Sequence, residues 1–400
     1  MTTESQHAAP KASIPKGVWA LGFVSLFMDA SSELIHSLMP LFLTGVLGAS
    51  ALTVGLISGL AEAVVSITKL FSGTLSDWLG KRRPLILLGY GLAALTKPFL
   101  PLAPTVAWVF TAHLVDRFAK GVRGAPRDAL VADLTPPALR GAAYGLRQSI
   151  DTVGAFLGPL LAILFMALLD DDIRAVFWIA VIPAVISVII ILIFVRDAEQ
   201  PVISGKPRLQ WGDTKRLMPA FWLLLGVTGV FTLARFSEAF LVLRAADSGM
   251  NITFVPLVMV VMSIAYALSS YPAGQLSDRL SRSAIFAVGV VLLIAADGVL
   301  AIAESSALLV LLGTALWGLH MGFTQGLLAA MVADRAPEDL RGTAFGLFNL
   351  AIGLVTLPAS LIAGVLWEQI APWASFAASA GFAVLTLLLL PLLSTKPAAR

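Results

Sequence analysis

The sequence predicts an all-α integral membrane protein with twelve transmembrane helices arranged as two six-helix repeats. Three observations lead to this fold class. Of the 400 residues, 58% are hydrophobic and only 13% are charged, whereas about a quarter of the residues of a soluble globular protein are charged. Apolar runs long enough to cross a bilayer recur along the whole chain. Short motifs of the first half return in the second half at a constant spacing.

The apolar runs define twelve predicted spans. Those of the first half cover residues 17–46, 51–77, 84–103, 105–129, 138–168 and 173–195. Those of the second half cover residues 219–246, 252–277, 284–303, 306–333, 340–368 and 373–394. Two bundles are therefore expected, at 17–195 and 219–394, with a polar linker at 196–218 and polar tails at 1–16 and 395–400.

The loops alternate in charge. One set is rich in Lys and Arg, beginning with Lys81, Arg82 and Arg83, whereas the other set is acidic, as at Asp170. Because positively charged loops stay in the cytoplasm, the basic loops, the linker and both termini are expected on that side. The polar N-terminal tail has no apolar core before Val18, so the first span is expected to direct insertion. These features predict a multi-pass protein of a bacterial inner membrane.

An internal repeat relates the two halves. The segment GTLSD at 73–77 returns as GQLSD at 274–278, a shift of 201 residues. At the same shift, VADLTPPALRGAAYGL at 131–146 returns as VADRAPEDLRGTAFGL at 332–347. A constant shift in separate motifs indicates two homologous halves, which is the parallel-repeat plan of transporters. The binding site is then predicted between the halves, near the middle of the membrane.

At these residues the chain resembles the major facilitator superfamily, whose loop between the second and third spans carries G-x-L-x-D-R-x-G-R-K. The matching residues of the first half are Gly73, Leu75, Asp77, Gly80, Lys81 and Arg82, with Trp78 where arginine is usual. Those of the second half are Gly274, Leu276, Asp278, Arg279 and Arg282. The resemblance implies that these residues latch the cytoplasmic ends of the halves and gate alternating access. Three arginines of the same predicted face join this gating set: Arg127, Arg140 and Arg341.

Two further motifs resemble those of proton-coupled exporters. Arg117 and Gly121 fit the R-x-x-x-G pattern of their fourth span. Gly154, Gly158 and Pro159 fit the G-x-x-x-G-P pattern in the fifth span of drug/proton antiporters, although the last glycines of that motif are replaced. Glycines allow a neighbouring helix to approach closely, and proline removes a backbone hydrogen bond and bends a helix. Gating by span 5 and close packing alone both remain open.

Spans 1 and 7 carry candidate proton-coupling carboxylates. Asp29, Glu33 and His36 are spaced so that they share one helical face, and span 7 carries Arg235 and Glu238. Charged side chains inside a membrane are costly and usually functional, and a buried carboxyl group takes up a proton more readily. The alternative is structural pairing, of Glu238 with Arg235 and of Asp29 with an arginine elsewhere.

Spans 4 and 5 add a second charged group. His113, Asp116 and Arg117 lie close together in span 4, and Arg147 and Asp151 are one turn apart in span 5, where they can pair within the helix. Protonation of Asp116 or Asp151 would release an arginine and couple protons to a change of shape. A static ion-pair network that holds the helices together explains the same residues equally well.

Spans 10 and 11 complete the predicted lining of the cavity with Trp317, His320, Gln325 and Asn349. His36, His113 and His320 fall in spans 1, 4 and 10, which line the central cavity in the superfamily, so together with carboxylates they form a candidate site for a divalent cation. No HxxxH or similar spacing occurs, and isolated histidines are more often hydrogen-bonded core residues. We therefore assign no metal site.

These features predict a secondary transporter that exports a small molecule in exchange for protons. No Walker motif or nucleophile–base pair is present, so neither ATP hydrolysis nor another enzymatic reaction is expected. The chain has no cysteine, which excludes disulfides and thiolate metal sites. The expected partners are the substrate, protons and lipid, with no cofactor and no nucleic acid; the family resemblance implies a monomer. Alternatives are export of a metal ion or metal chelate such as a siderophore, proton-coupled uptake, and a receptor that keeps a transporter fold.

Overall fold

The computed structural model describes residues 14–197, 216–277, 279–337 and 340–394. The helices of the first half are α1 (Lys16–Leu41), α2 (Ala51–Leu79), α3 (Arg83–Thr96), α4 (Val106–Leu134), α5 (Arg140–Leu168) and α6 (Ile173–Phe194). Those of the second half are α7 (Pro219–Leu233), α8 (Ala239–Asp247), α9 (Leu257–Ser277), α10 (Arg282–Ile302), α11 (Ala307–Arg335), α12 (Arg341–Gln369) and α13 (Pro372–Leu389). No β-strand occurs in these ranges. Most of the predicted linker and tails lie outside them.

Polar residues at the ends of the apolar runs begin and end the helices. The side chain of Thr105 accepts a hydrogen bond from Trp108 N at the start of α4, and Asp172 does the same for the first amides of α6. Such caps satisfy backbone amides that have no partner within the helix. Gly80 ends α2 with φ = 63°, a left-handed conformation that glycine adopts without steric cost. The predicted ends of these spans are accurate to within a few residues.

The predicted seventh span, at residues 219–246, is wrong as a single helix. It is broken between α7 and α8, and the break contains Arg235, Ser237 and Glu238. Serines from two other helices bond to the exposed backbone: Ser379 donates to the carbonyl of Ala234, and the side chain of Ser360 accepts from Ser237 N at 3.2 Å. Non-helical backbone at membrane depth is tolerated where protein groups satisfy it in this way.

Nine helical segments of the described chain are long and apolar enough to cross a membrane. Of the rest, α3 and α7 are short, and α4 has 29 residues but carries a charged face. The chain is therefore a multi-pass membrane protein. The count of twelve spans and the cytoplasmic location of the termini stay predictions.

The halves meet along helices that are far apart in the sequence. Contacts within the first half join α1 to α5 and α6, and α4 to α2 and α3. Across the halves, α2 packs along α12, and α1 and α5 contact α8 and α9. The α2–α12 contact is close, since a Cβ atom added to Gly55 would lie 2.4 Å from the carbonyl oxygen of Ser360.

Two hydrogen bonds join the halves at the end that carries the acidic loops. Thr253 Oγ1 donates to Asp171 Oδ1 at 2.7 Å, and Leu52 N donates to Glu368 Oε1 at 2.9 Å. Asp171 lies between α5 and α6, whereas Thr253 lies in a short turn before α9. We call these two contacts the acidic-end bonds.

Candidate transport site

A cavity of about 260 Å³ lies between the halves. Its walls come from α1, α2 and α4 of the first half, and from the α7–α8 break and α12 of the second. The titratable residues on its lining are His36, Glu62, His113, Arg117, Arg235 and Glu238. Five of these were predicted from the sequence; Glu62, a lone carboxylate in the middle of α2, was not. We call this space the central cavity.

Three of these charges, Glu62, Arg235 and Glu238, form no side-chain hydrogen bond or ion pair with the described residues. Glu62 is exposed to the cavity and forms no hydrogen bond or ion pair with any of them. No described carboxylate lies within 4 Å of the Arg235 guanidinium, and Arg235 Nε has no hydrogen-bond partner. The predicted Arg235–Glu238 ion pair is therefore not formed. The guanidinium carbon of Arg235 lies 5.8 Å from the centre of the Phe231 ring.

A buried ion triad stands behind the cavity wall. Lys97 Nζ donates to Asp116 Oδ1 and to Ser32 Oγ, both at 3.0 Å, and Arg117 Nη2 lies 3.0 Å from Asp116 Oδ2. Lys97 is only 1% exposed, and it was not singled out from the sequence. Its position inside the predicted span at 84–103, where a charged residue is unusual, could have indicated a buried partner. The triad holds Arg117 at the cavity wall.

A second cavity of about 290 Å³ lies inside the first half. Its lining carries four cations, Lys69, Lys120, Arg123 and Arg127, and three carboxylates, Asp29, Glu33 and Asp151. Glu33 connects the two cavities, because its carboxylate lies 3.3 Å from Nδ1 of His36, which lines the central cavity. We call this space the charged cavity.

Asp29 and Asp151 meet in the charged cavity. Their carboxyl groups are within hydrogen-bonding reach. Asp151 Oδ1 is buried and has no hydrogen-bond donor, since Arg127 Nη1 lies 3.8 Å away, beyond hydrogen-bond distance. The predicted intrahelical pair of Asp151 with Arg147 is confirmed at 3.6 Å. Two carboxylates cannot donate to each other, so one proton between them would complete this contact.

The titratable groups of the first half form a series along the helix axes. At a rise of 1.5 Å per residue, Asp151 lies about 16 Å from the start of α5 at Arg140. Asp29 lies about 20 Å from the start of α1 at Lys16, and His36 about 30 Å. The series runs from the Arg-rich end of the bundle to the central cavity.

The second half has no counterpart to this series. At the repeat shift of 201 residues, Asp151 corresponds to Ile352 and Arg147 to Phe348. Asp116 likewise corresponds to Trp317. Apolar and aromatic side chains thus replace the charges of the first half.

Other predicted lining residues lie elsewhere. Trp317 and His320 are buried against each other and Phe231, behind the lining of the central cavity, and neither His320 nitrogen has a hydrogen-bond partner. Gln325 and Asn349 are also outside that lining. In the described chain, no three His, Asp or Glu side chains approach closely enough to hold a metal ion.

At the Arg-rich end, Arg82 organises the first predicted latch. It bonds to Asp77, to Ser76 Oγ at 2.7 Å and to Asp133 at 3.2 Å. Burial by itself lowers the pKa of Arg82, but the hydrogen bonds to Asp77 and Asp133 outweigh it and hold the pKa above its usual value. Trp78, which stands where arginine is usual, is 79% exposed. These bonds of Arg82 therefore join residues of the first half to one another.

The second latch is described in part. Arg282 bonds to Asp334 and donates to the carbonyl of Ala330 at 3.1 Å, which repeats the contact between Arg82 and Asp133. Asp278 lies outside the described residues. The remaining basic and glycine members of the gating set at this end are exposed: Lys81, Arg140, Gly274, Arg279 and Arg341. Gly73 lies against Ala125, and Arg127 bonds to Ser25 within the first half.

Comparison with known proteins identifies a family and several relatives. The profile of the Major Facilitator Superfamily matches residues 21–243 and 230–400. An uncharacterised MFS-type transporter of Methanocaldococcus jannaschii is 34% identical over 385 residues, which are 94% of each chain. The multi-drug resistance efflux pump PmrA of Streptococcus pneumoniae is 27% identical over 66% of this chain and 68% of its own. The multidrug resistance protein MdtH of Photorhabdus laumondii is 31% identical over 40% and 39%.

Solved structures share the fold. A POT family transporter in complex with 5-aminolevulinic acid superposes with a TM-score of 0.82 at 13% identity, over 96% of this chain and 97% of that one. A bacterial homologue of the lysosomal transporter Spinster, in an inward-facing and occupied conformation, gives 0.75 at 14% identity, over 94% and 96%.

Proposed function

The chain belongs to the major facilitator superfamily and is a membrane transporter, not an enzyme, and we propose that it exports a small molecule across a bacterial inner membrane in exchange for protons. The halves rock about the central cavity and expose it to each side in turn. The proton gradient supplies the energy. The protein works as a monomer.

The Asp29–Asp151 contact carries the proposal. A proton held between the two carboxyl groups supplies the hydrogen bond that Asp151 Oδ1 lacks, and loss of that proton leaves two negative charges side by side. Arg127 Nη1 at 3.8 Å and Arg147 Nη1 at 3.6 Å can then move towards the pair. The proton therefore decides how α1, α4 and α5 are held together, which is the requirement for coupling.

Glu33 and His36 connect this proton site to the substrate. Glu33 lies in the charged cavity and contacts His36 in the central cavity. A substrate that draws His36 away from Glu33 changes the charge near Asp29, and a proton at Asp29 changes the charge near His36. The two ligands then influence each other through one side-chain contact, as reciprocal linkage requires.

Export is supported by the relatives and by the chain's own asymmetry of contacts. Two relatives are named as multidrug resistance or efflux proteins. The acidic-end bonds hold the halves together on the side that the charge distribution predicts to be outside. With that end closed, the opposite end, which is predicted to face the cytoplasm, is the side from which an exporter would take its substrate.

The test uses the purified protein in proteoliposomes that contain a pH-sensitive dye. Candidate substrates are drug-like cations, small anions, zwitterions and divalent metals, added in turn. Proton movement opposite to the substrate is expected. Proton movement in the same direction would identify an uptake symporter, and substrate movement without protons would refute coupling.

Variants locate the proton site. Asp29→Asn and Asp151→Asn are expected to abolish proton movement while substrate binding persists. Glu304→Gln, in the exposed turn between α10 and α11, is the matched control and should exchange protons normally. Full exchange in both aspartate variants would contradict the assignment of this pair.

A further inference from the structure

From the unpartnered charges of the central cavity we infer that the substrate is a small zwitterion, with one ammonium-type cation and one oxyanion. This inference deepens the proposed function and rests on it. The three groups that recognise the substrate are Glu62, Arg235 and Glu238.

The three charged side chains have a high energetic cost at their positions in the fold. All three lie on helices or breaks at membrane depth, where an ionised side chain is retained only with a partner or a function. By contrast, Asp116 of the triad and Asp151 of the charged cavity each have two cations within 4 Å. Within the described chain, Glu62 and Arg235 have neither ion pair nor hydrogen bond to a protein group. The partner that they lack is therefore a mobile one.

The charge of each of these side chains determines the charge of the ligand group that it binds. Arg235 presents a guanidinium whose Nε is buried and unbonded, and guanidinium groups recognise carboxylate, phosphate and similar oxyanions. Arg117 lines the same cavity from the opposite half, so an oxyanion can contact both halves. Glu62 and Glu238 also come from opposite halves, and carboxylates accept hydrogen bonds from an ammonium group.

The charges of the central cavity exclude a ligand that carries only one charge. A cation would satisfy Glu62 and Glu238 but leave Arg235 unpaired and repelled, whereas an anion would satisfy Arg235 and oppose both glutamates. A zwitterion satisfies both signs at once. It also bridges the halves twice, through one arginine and one glutamate from each, which favours the state in which they close around it.

Volume limits the size of the molecule. The cavity of about 260 Å³ lies just below the range of about 300–1,000 Å³ that is usual for the pockets of drug-sized ligands. Phe236 is the aromatic member of the lining. The ligand is therefore an amino-group-bearing acid with a short apolar spacer, smaller than most drugs.

The test compares compounds that differ only in charge. ω-Amino acids of two to six carbons are measured against fatty acids and alkylamines of the same length, by thermal stabilisation and by equilibrium binding to the purified protein. At least one ω-amino acid is expected to bind about tenfold more tightly than its matched acid and amine. Equal binding by a singly charged compound, or no binding by any ω-amino acid, would overturn the inference.

Variants assign the two ends. In Arg235→Gln, the ω-amino acid should no longer bind more tightly than the alkylamine of the same length. In Glu62→Gln or Glu238→Gln, it should no longer bind more tightly than the fatty acid of the same length. Arg196→Gln and Glu304→Gln, which are exposed outside the cavity, should bind as the unaltered protein does. An unchanged preference in all three cavity variants, confirmed as folded by their unfolding temperature, would also contradict the proposal.

The binding test is separate from the test of proton exchange. A zwitterion that binds and crosses the membrane without moving protons would leave this inference intact and refute the proposed coupling. Proton exchange with a singly charged substrate would support the proposed coupling and contradict this inference.

Discussion

Lys97 is a single residue on which the packing of three helices depends. It bonds to Ser32 of α1 and to Asp116 of α4 from the short turn that follows α3. Removal of the Asp116 carboxylate would leave Lys97 and Arg117 as buried cations without their shared partner, and breaking a buried ion pair in this way costs about 3–5 kcal/mol. Asp116→Asn should therefore lower the unfolding temperature of the detergent-solubilised protein by several degrees.

A double variant separates this charge effect from lost packing. In Asp116→Asn with Lys97→Met, one of the two uncompensated cations is gone, and part of the lost stability should return. Lys81→Met, at an exposed position, is the control. Equal destabilisation in the single and double variants would show that packing, rather than charge, explains the loss.

At this scale the sequence predicts which residues matter better than it predicts their partners. Asp29, Glu33, Asp116 and Asp151 were identified because ionisable residues are rare in apolar spans. Their contacts depend on which helices become neighbours, so the Asp29–Asp151 meeting could not be read from spacing. Asp297, buried in α10 and bonded to Ser379, was overlooked despite the same signal.

Helices α1 and α5 are in contact through glycine. A Cβ atom added to Gly154 would lie 2.4 Å from the carbonyl oxygen of Leu26, so Gly154→Ala must push the helices apart. Overpacking of this kind costs about 1–3 kcal/mol. Gly145→Ala on the same helix, where nothing lies within 4 Å, should leave the unfolding temperature unchanged, and a similar loss in both variants would point to helix propensity instead.

The α7–α8 break depends on bonds from α13. Ser379 Oγ lies within hydrogen-bond distance of the carbonyl of Ala234 and of the Asp297 carboxyl group, and its single proton is donated to one of them at a time. Ser379→Ala leaves a buried acceptor without its donor, at a cost of about 1–3 kcal/mol, and should lower the unfolding temperature. Ser149→Ala, at an exposed site on α5, is the control; an unaltered unfolding temperature in Ser379→Ala would mean that the break is held by other contacts.

The break could not have been predicted from local sequence. Helix ends elsewhere coincide with proline, glycine or capping residues, as at Gly80 and Asp172. Residues 234–238 contain neither proline nor glycine, and their flanks are continuously apolar. The bonds from Ser360 and Ser379 come from α12 and α13, more than 100 residues away, so tertiary structure overrides the local preference.

The whole molecule should open by loss of the acidic-end bonds. A hydrogen bond contributes about 1 kcal/mol net, so Thr253→Val, which removes a donor, or Glu368→Met, which removes an acceptor, should shift the balance between conformations about fivefold towards the outward-open one. The chain has no cysteine, so a single Thr356→Cys in the central cavity reports accessibility to a membrane-impermeant thiol reagent. Faster labelling from the outside is expected, with Asp170→Asn as the control. Unchanged labelling would mean that other contacts close this end.

The all-helical fold of the superfamily was correctly predicted, because the motifs that indicate it lie at helix ends, where sequence and geometry agree. It was not predicted that the titratable residues of the charged cavity belong to the first half alone. Most of the predicted titratable residues of the charged cavity have apolar counterparts at the repeat shift, as Asp151 has Ile352. The repeat explains how the helices are arranged. The positions at which the two halves differ in charge indicate the candidate site.

The single Asp29–Asp151 pair has an electrical consequence. If it carries one proton inward while a zwitterion without net charge leaves, each cycle moves one positive charge across the membrane. Every 100 mV of membrane potential then adds about 2.3 kcal/mol per cycle, enough for about a 40-fold concentration ratio. A potassium diffusion potential, negative inside, should therefore drive export even when the pH is equal on both sides. The transporter would draw on voltage as well as acidity, and would keep working in alkaline surroundings.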